Sequence, residues 1–256
     1  MSTPRFFCET VLTSDSTCTL PPAVAHHVRV RRLKAGQEIV LFDGSGTEST
    51  ALLQFESSGQ AVAVITSTQA IDRELPWHIT LVQGIASQDR MDWVIEKAVE
   101  IGVTNFVPLL ADRSVVKLSE DRAQKRLAHW QKLIISASEQ CGRNRLMQIQ
   151  APCGLDDAIK HCDNNPILWC HANADAVSIV DRRVIQTVGT ADRACIVVGP
   201  EGGFSDNEAR RWQATGARAV SLGPRILRTE TAGLAAITSL NALLEQHRVA
   251  EAKTKT

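Results

Sequence analysis

The sequence has no net charge, with 28 Lys and Arg against 28 Asp and Glu. That excludes a protein that coats nucleic acid by bulk charge, although it leaves room for a local patch. No apolar run approaches the roughly 20 residues of a membrane-spanning helix. The first residues lack the long apolar core of a secretory signal, so the expectation is a soluble, cytoplasmic protein with no membrane partner. The seven cysteines include no Cys-x-x-Cys pair. Cys153, Cys162 and Cys170 lie nine and eight residues apart, which fits no zinc spacing, and Cys170-His171 finds no further ligands. Buried free thiols are the expectation, and no metal site. Also missing are the dinucleotide Gly spacing, a Lys-Ser or Lys-Thr phosphate loop, and a Ser-His-Asp constellation.

What is present fits a globular chain of one large or two small domains. Its 256 residues are 44% hydrophobic and 22% charged. Short β-rich runs fill residues 1–71: Ile39–Phe42, Ser49–Phe55 and Ala61–Thr66, with Asp43-Gly44 and Ser58-Gly59 as turns. The polar, proline-ended stretch Gln69–Pro76 marks a boundary near residue 72. Beyond it, strands alternate with helices. Strands are expected at Ile79–Ile85, Asn105–Leu110 and Ile167–Cys170, and helices at Asp89–Ile101, Ser119–Gln140 and from about Glu230 to Glu245. Residues 72–256 therefore read as an α/β domain with a mainly parallel sheet.

Within that domain, Cys195–Leu234 stands out. Two apolar runs, Cys195–Val198 and Ala219–Leu222, each end in Gly-Pro, at Gly199-Pro200 and Gly223-Pro224. Gly199, Gly202 and Gly203 let backbone approach a ligand closely. Ser205 followed by Glu208 is a capping box that opens a helix. One such loop is ordinarily just a tight turn. Two loops of the same design, 24 residues apart, point to the two lips of one pocket.

Charge in the first 71 residues is uneven. The basic residues are Arg5, Arg29, Arg31, Arg32 and Lys34, four of them within six positions and preceded by His26 and His27. Alternation in Val28-Arg29-Val30-Arg31 predicts a strand with both arginines on one face. A solvated face and a phosphate-binding face stand even on sequence alone.

GPEGGFS-x-x-E, followed by LG-x-RILR-x-ETA, resembles the C-terminal signature of the ribosomal small subunit methyltransferase E family, within the SPOUT class. Pro4-Arg5-Phe6-Phe7, His26–Arg31, Asp89–Val103, Pro108–Val115 and Ser136–Arg143 resemble further family segments, so the likeness spans nearly the whole chain. It implies a trefoil-knotted α/β domain after a small PUA-like β-barrel domain. It also implies S-adenosylmethionine as cofactor, N3 of a uridine in 16S ribosomal RNA as target, and a homodimer. The small domain would grip the RNA through the Arg29–Lys34 cluster and Arg5. Arg113, Glu139 and Arg143 would lie near the cleft, with Arg113 and Arg143 among the RNA-binding residues. One departure is that Ser87 and Gln88 stand where the family pattern has a lysine before Asp89-Arg90-Met91. A 2′-O-ribose methyltransferase of the same class and a non-catalytic RNA-binding assembly factor are the alternatives.

Methyl transfer from a sulfonium is an in-line displacement, so alignment of donor and acceptor dominates. Uridine N3 is protonated at neutral pH, and its proton must be taken or its anion stabilised. N3 also lies on the pairing edge, so the base must be unpaired or flipped. On this reading Leu168, Gly199, Glu201, Gly202, Gly203, Leu222, Gly223, Ile226, Leu227, Thr229 and Thr231 surround the cofactor. Arg228 faces the uracil or a phosphate, and Glu201 and Glu230 are the candidate acid or base groups.

Overall fold

The computed structural model describes residues 3–10, 13–114, 116, 118–171, 176–188 and 191–254. Val115, the end of the Pro108–Val115 run, lies outside them. The chain divides into two compact units, Met1–Glu74 with Ile135–Leu146, and Leu75–Ile134 with Met147–Thr256.

The first unit contains β1 (Arg5–Phe7), β2 (Thr17–Thr19), α1 (Pro22–Val30), β3 (Glu38–Phe42), β4 (Thr47–Phe55) and β5 (Ala61–Ala70). Its sheet runs β1-β3-β4-β5-β2, antiparallel except for β1 beside β3. The sheet curls until its ends meet. Cys8, just after β1, has its sulfur 3.7 Å from that of Cys18 in β2. Phe6, Val24, Val28, Ile39, Leu41, Leu53 and Ile65 fill the interior.

The Val28–Arg31 strand is corrected by the structure. These residues end a helix that Pro22 opens, its fixed φ suiting a first helical position. Val24 and Val28, four apart, form the buried stripe, while Val30 is 66% exposed. Helical spacing turns Arg29 and Arg31 to different sides. The guanidinium of Arg31 lies 5.8 Å from the Phe6 ring centroid, and Arg32 adopts φ +53°.

Residues 135–146 belong to this unit rather than to the α/β unit. Arg5 donates to Glu48 (2.7 Å) and to Asn144 (2.6 Å), and Arg73 also donates to Glu48 (2.8 Å). These arginine hydrogen bonds, Arg73 foremost, hold the Glu48 carboxyl down at about 2 against the opposing effect of burial. Arg143 is buried in an ion pair with Glu74, and Glu139 accepts from the Phe7 N–H (3.0 Å). Burial pushes the Glu139 carboxyl upward.

The second unit contains β6 (His78–Gly84), α2 (Gln88–Glu100), β7 (Asn105–Leu109), α3 (Glu120–Cys141, whose last residues belong to the first unit), β8 (Gln148–Ile149), α4 (Leu155–His161), β9 (Ile167–Cys170), β10 (Val177–Ser178), α5 (Arg182–Val188), β11 (Arg193–Val198), α6 (Asp206–Ala214), β12 (Arg218–Ser221) and α7 (Thr229–Thr254). Its seven strands are all parallel, in the order β10-β12-β9-β11-β6-β7-β8. The central strands read as near-continuous apolar runs because both faces are covered: Ile79, Leu81 and Val82 of β6, and Ala194 to Val198 of β11, are buried. After β12 the chain passes back over β9 and β11, and α7 packs on α2, β11 and β6. The ends of β9, β11 and β6 are thus adjacent, where open parallel sheets place ligands.

Candidate functional site

β9 and β11 end on a cavity of about 650 Å³. It is walled by Cys170 and His171, by Val198–Glu201 with Gly203 and Phe204, and by Ile226–Thr229 with Ala232; Arg90 and Arg113 reach it from the side. A smaller recess of about 110 Å³, lined by Leu222 and Gly223, shares the Cys170, His171, Ile226 and Leu227 walls. The two Gly-Pro loops are therefore brought together around neighbouring hollows.

Thr229 ties the loops to the sheet. Its hydroxyl donates to the Gly199 carbonyl (2.5 Å) and accepts from buried Gln83 (2.8 Å). Two glycines are required by close approach. A Cβ on Gly84, at the end of β6, would lie 2.4 Å from the Pro200 nitrogen; one on Gly202 would lie 3.0 Å from the Arg113 Cβ and carbonyl oxygen. Gly202 thus faces the Arg113 loop rather than the cavity.

The charges sort into two groups. Arg90 pairs with Glu201 (3.0 Å) and Glu230 (3.6 Å), so both acids are engaged. Glu230 does not line the cavity, and its second carboxylate oxygen is buried without a partner among the described residues. Arg228 lines the cavity, is exposed, and makes no ion pair among the described residues. Arg113 is exposed at the rim, its guanidinium 3.4 Å from the Gly202 carbonyl. His171 stacks on Trp169 at 4.3 Å, and burial lowers its pKa. Burial pushes the Cys170 thiol up to about 12.

The structure places Gly199, Glu201, Gly203, Ile226, Leu227, Arg228, Thr229 and Arg113 at the main cavity, and Leu222 and Gly223 at its neighbour. It does not bring in Leu168, which is sealed in the middle of β9, or Thr231, which is exposed on α7 outside both hollows. Arg29, Arg31, Arg32 and Lys34 remain exposed, whereas Arg5 and Arg143 are enclosed in ion pairs. Arg90, Gln83 and Gly84 were not singled out from sequence. The Asp89-Arg90-Met91 run was the one signal near Arg90; nothing local marks Gly84, whose constraint comes from a loop more than a hundred residues away. No group of three or more His, Cys, Asp or Glu able to hold a metal occurs among the described residues.

A family model described as an RNA methyltransferase domain matches residues 73–241, and an RNA methyltransferase PUA domain matches residues 20–66. The ribosomal RNA small subunit methyltransferase E of Bacillus subtilis is 30% identical, over 85% of this chain and 86% of its own length. The chain belongs to the ribosomal RNA small subunit methyltransferase E family. A Synechocystis member is 31% identical, over 90% of this chain and 75% of its own. Among solved structures, the Neisseria gonorrhoeae family member bound to S-adenosyl methionine is 38% identical, with a TM-score of 0.83 covering 94% of this chain and 98% of that one. A Legionella pneumophila protein in complex with the cofactor SAM is 32% identical, with a TM-score of 0.85 and the same coverage.

Proposed function

We propose that this chain transfers a methyl group from S-adenosylmethionine to N3 of a uridine in 16S ribosomal RNA of the small subunit. The observation that carries the reading is the cavity at the ends of β9 and β11. It combines two glycine loops and an apolar rim with the guanidiniums of Arg113 and Arg228, which pair with no carboxylate among the described residues.

The residues present fit the donor. The cavity falls within the usual range for small-molecule sites, roughly 300–1,000 Å³. Ile226 at its mouth is 94% exposed, an apolar surface suited to covering an adenine. Gly199, Gly203, Leu222, Gly223, Ile226 and Leu227 would hold the cofactor, with Thr229 fixing the two lips. When bound, the sulfonium supplies an electrophilic methyl group. Arg228 stabilises the negative charge that grows on the uracil oxygens as the N3 proton passes to Glu201, the candidate base that lines the cavity. Arg113 takes an RNA phosphate. Arg90 holds Glu201 and Glu230 in place beside the site.

The first unit acts as the RNA-gripping domain through Arg29, Arg31, Arg32 and Lys34, and the second unit carries the chemistry. Membership of the family supports a trefoil-knotted connection after β12, an arrangement ordinary folds avoid. A two-fold homodimer working in the cytoplasm completes the proposal, with no membrane or metal partner; no described helix is long and apolar enough to cross a membrane. Light scattering should give about twice the 27.9 kDa chain mass. Calorimetric titration with S-adenosylmethionine and labelled methyl transfer to unmodified small-subunit RNA test the reading. Saturable donor binding and RNA labelling are expected; no donor binding would overturn it.

A further inference from the structure

The turn that carries Arg113 is fastened to the first pocket lip by a set of bonds with no part in binding or chemistry. Glu208 is 3% exposed. One of its carboxylate oxygens accepts from the Asp112 backbone N–H (2.9 Å) and the other from the Ser205 N–H (2.8 Å). The Ser205 hydroxyl donates to the Asp112 carboxylate (2.6 Å) and accepts from the Glu208 N–H (3.2 Å). The turn itself is closed by Ser114, whose backbone N–H donates to the Ala111 carbonyl (2.9 Å) and whose hydroxyl accepts from the Ala111 N–H (3.2 Å).

A capping box needs only the bonds between Ser205 and Glu208. The bonds to Asp112 go beyond it, reaching 93 and 96 residues along the chain. They hold the turn so near the lip that a Cβ on Gly202 would press on the Arg113 Cβ and carbonyl oxygen at 3.0 Å. We propose that Glu208, with Ser205 and Asp112, is a positioning unit that fixes Arg113 at the cavity rim, so that the guanidinium meets the RNA substrate in a set place. The inference rests on the methyltransferase reading of the cavity. A buried carboxylate filled by backbone donors is rigid, and a long arginine side chain gains most from having its base immobilised.

The test compares Glu208→Gln, Arg113→Ala and the double variant in methyl transfer to small-subunit RNA, with the donor saturating and RNA varied. Gln keeps the shape but presents an amide N–H₂ to one of the two N–H donors, so one bond is lost. Losing a charge-assisted contact to RNA should raise the RNA KM roughly tenfold in Arg113→Ala, with donor affinity unchanged. Glu208→Gln should do the same, and the double variant should be no worse than either single, because both remove one interaction. Multiplying effects, or an unchanged RNA KM in Glu208→Gln, would overturn the proposal. Should Glu208→Gln fail to fold, Asp112→Ala cuts the tie to Ser205 while leaving the cap carboxylate, and the same comparison with Arg113→Ala applies. Wild-type protein without methyl transfer would sink the methyltransferase reading and this inference together; an active wild type with multiplying variants would sink the inference alone.

Discussion

Replacing Gly84 with alanine adds one methyl group at the tightest point of the site. Its Cβ would lie 2.4 Å from the Pro200 nitrogen and 2.7 Å from the Gly199 carbonyl carbon and Pro200 Cδ. These atoms are backbone and ring, so no flexible tip can swing away. Ordinary contact begins near 3.4 Å, so the Gly199-Pro200 lip must retreat by about 1 Å. Overpacking of this kind costs about 1–3 kcal/mol. For a chain of this size, that lowers the melting temperature by about 2–12 °C. The same displacement pulls the Gly199 carbonyl from Thr229 and opens the cofactor lip, so S-adenosylmethionine should bind more weakly. Gly216→Ala, outside both hollows, is the control. Its φ is +79° with nothing within 4 Å, so backbone strain of about 1–2 kcal/mol is the whole cost and the lip stays in place. Scanning calorimetry and donor titration read both quantities. A Gly84→Ala protein with wild-type melting and donor affinity would refute the packing argument.

Arg228→Ala should keep melting temperature and donor affinity while losing about 2–4 kcal/mol of transition-state stabilisation in single-turnover methylation; a parallel loss of donor affinity would make Arg228 a loop-holding residue. Reversing Arg29, Arg31 and Arg32 to glutamate should weaken RNA binding and flatten its salt dependence with donor affinity intact, and equal salt slopes would place the RNA elsewhere. Glu48, held down at about 2 chiefly by Arg73, contributes stability that is present above the unfolded carboxylate value near 4.5 and lost as pH falls toward 2. Glu48→Gln should therefore flatten the acid limb of a stability–pH curve in that window, and an unchanged limb would contradict the assignment.

Elements that depend on local pattern were legible in the sequence. The Ile167–Cys170 strand lies where apolar continuity put it, and the Ser205–Glu208 capping box is formed. The helix at Pro22–Val30 was hidden because Val28-Arg29-Val30-Arg31 satisfies a two-residue alternation; the stripe that decides, Val24 with Val28, appears only once Phe6 and Leu41 are packed beneath it. Arg5 and Arg143 read as RNA contacts because their partners, Glu48 and Glu74, lie 43 and 69 residues away. The pocket loops were legible because each carries its own Gly-Pro signature. Arg90 and Gly84 were not, since their roles come from the pairing of β6 beside β11, a long-range contact that local spacing does not encode.

The most direct test of the account is nucleoside mass mapping of unmodified small-subunit ribosomal RNA after incubation with this protein and S-adenosylmethionine. One added methyl group is expected on the base of a uridine, at N3. A methyl group on a ribose 2′-hydroxyl, or no added methyl group from protein that binds the donor, would contradict it.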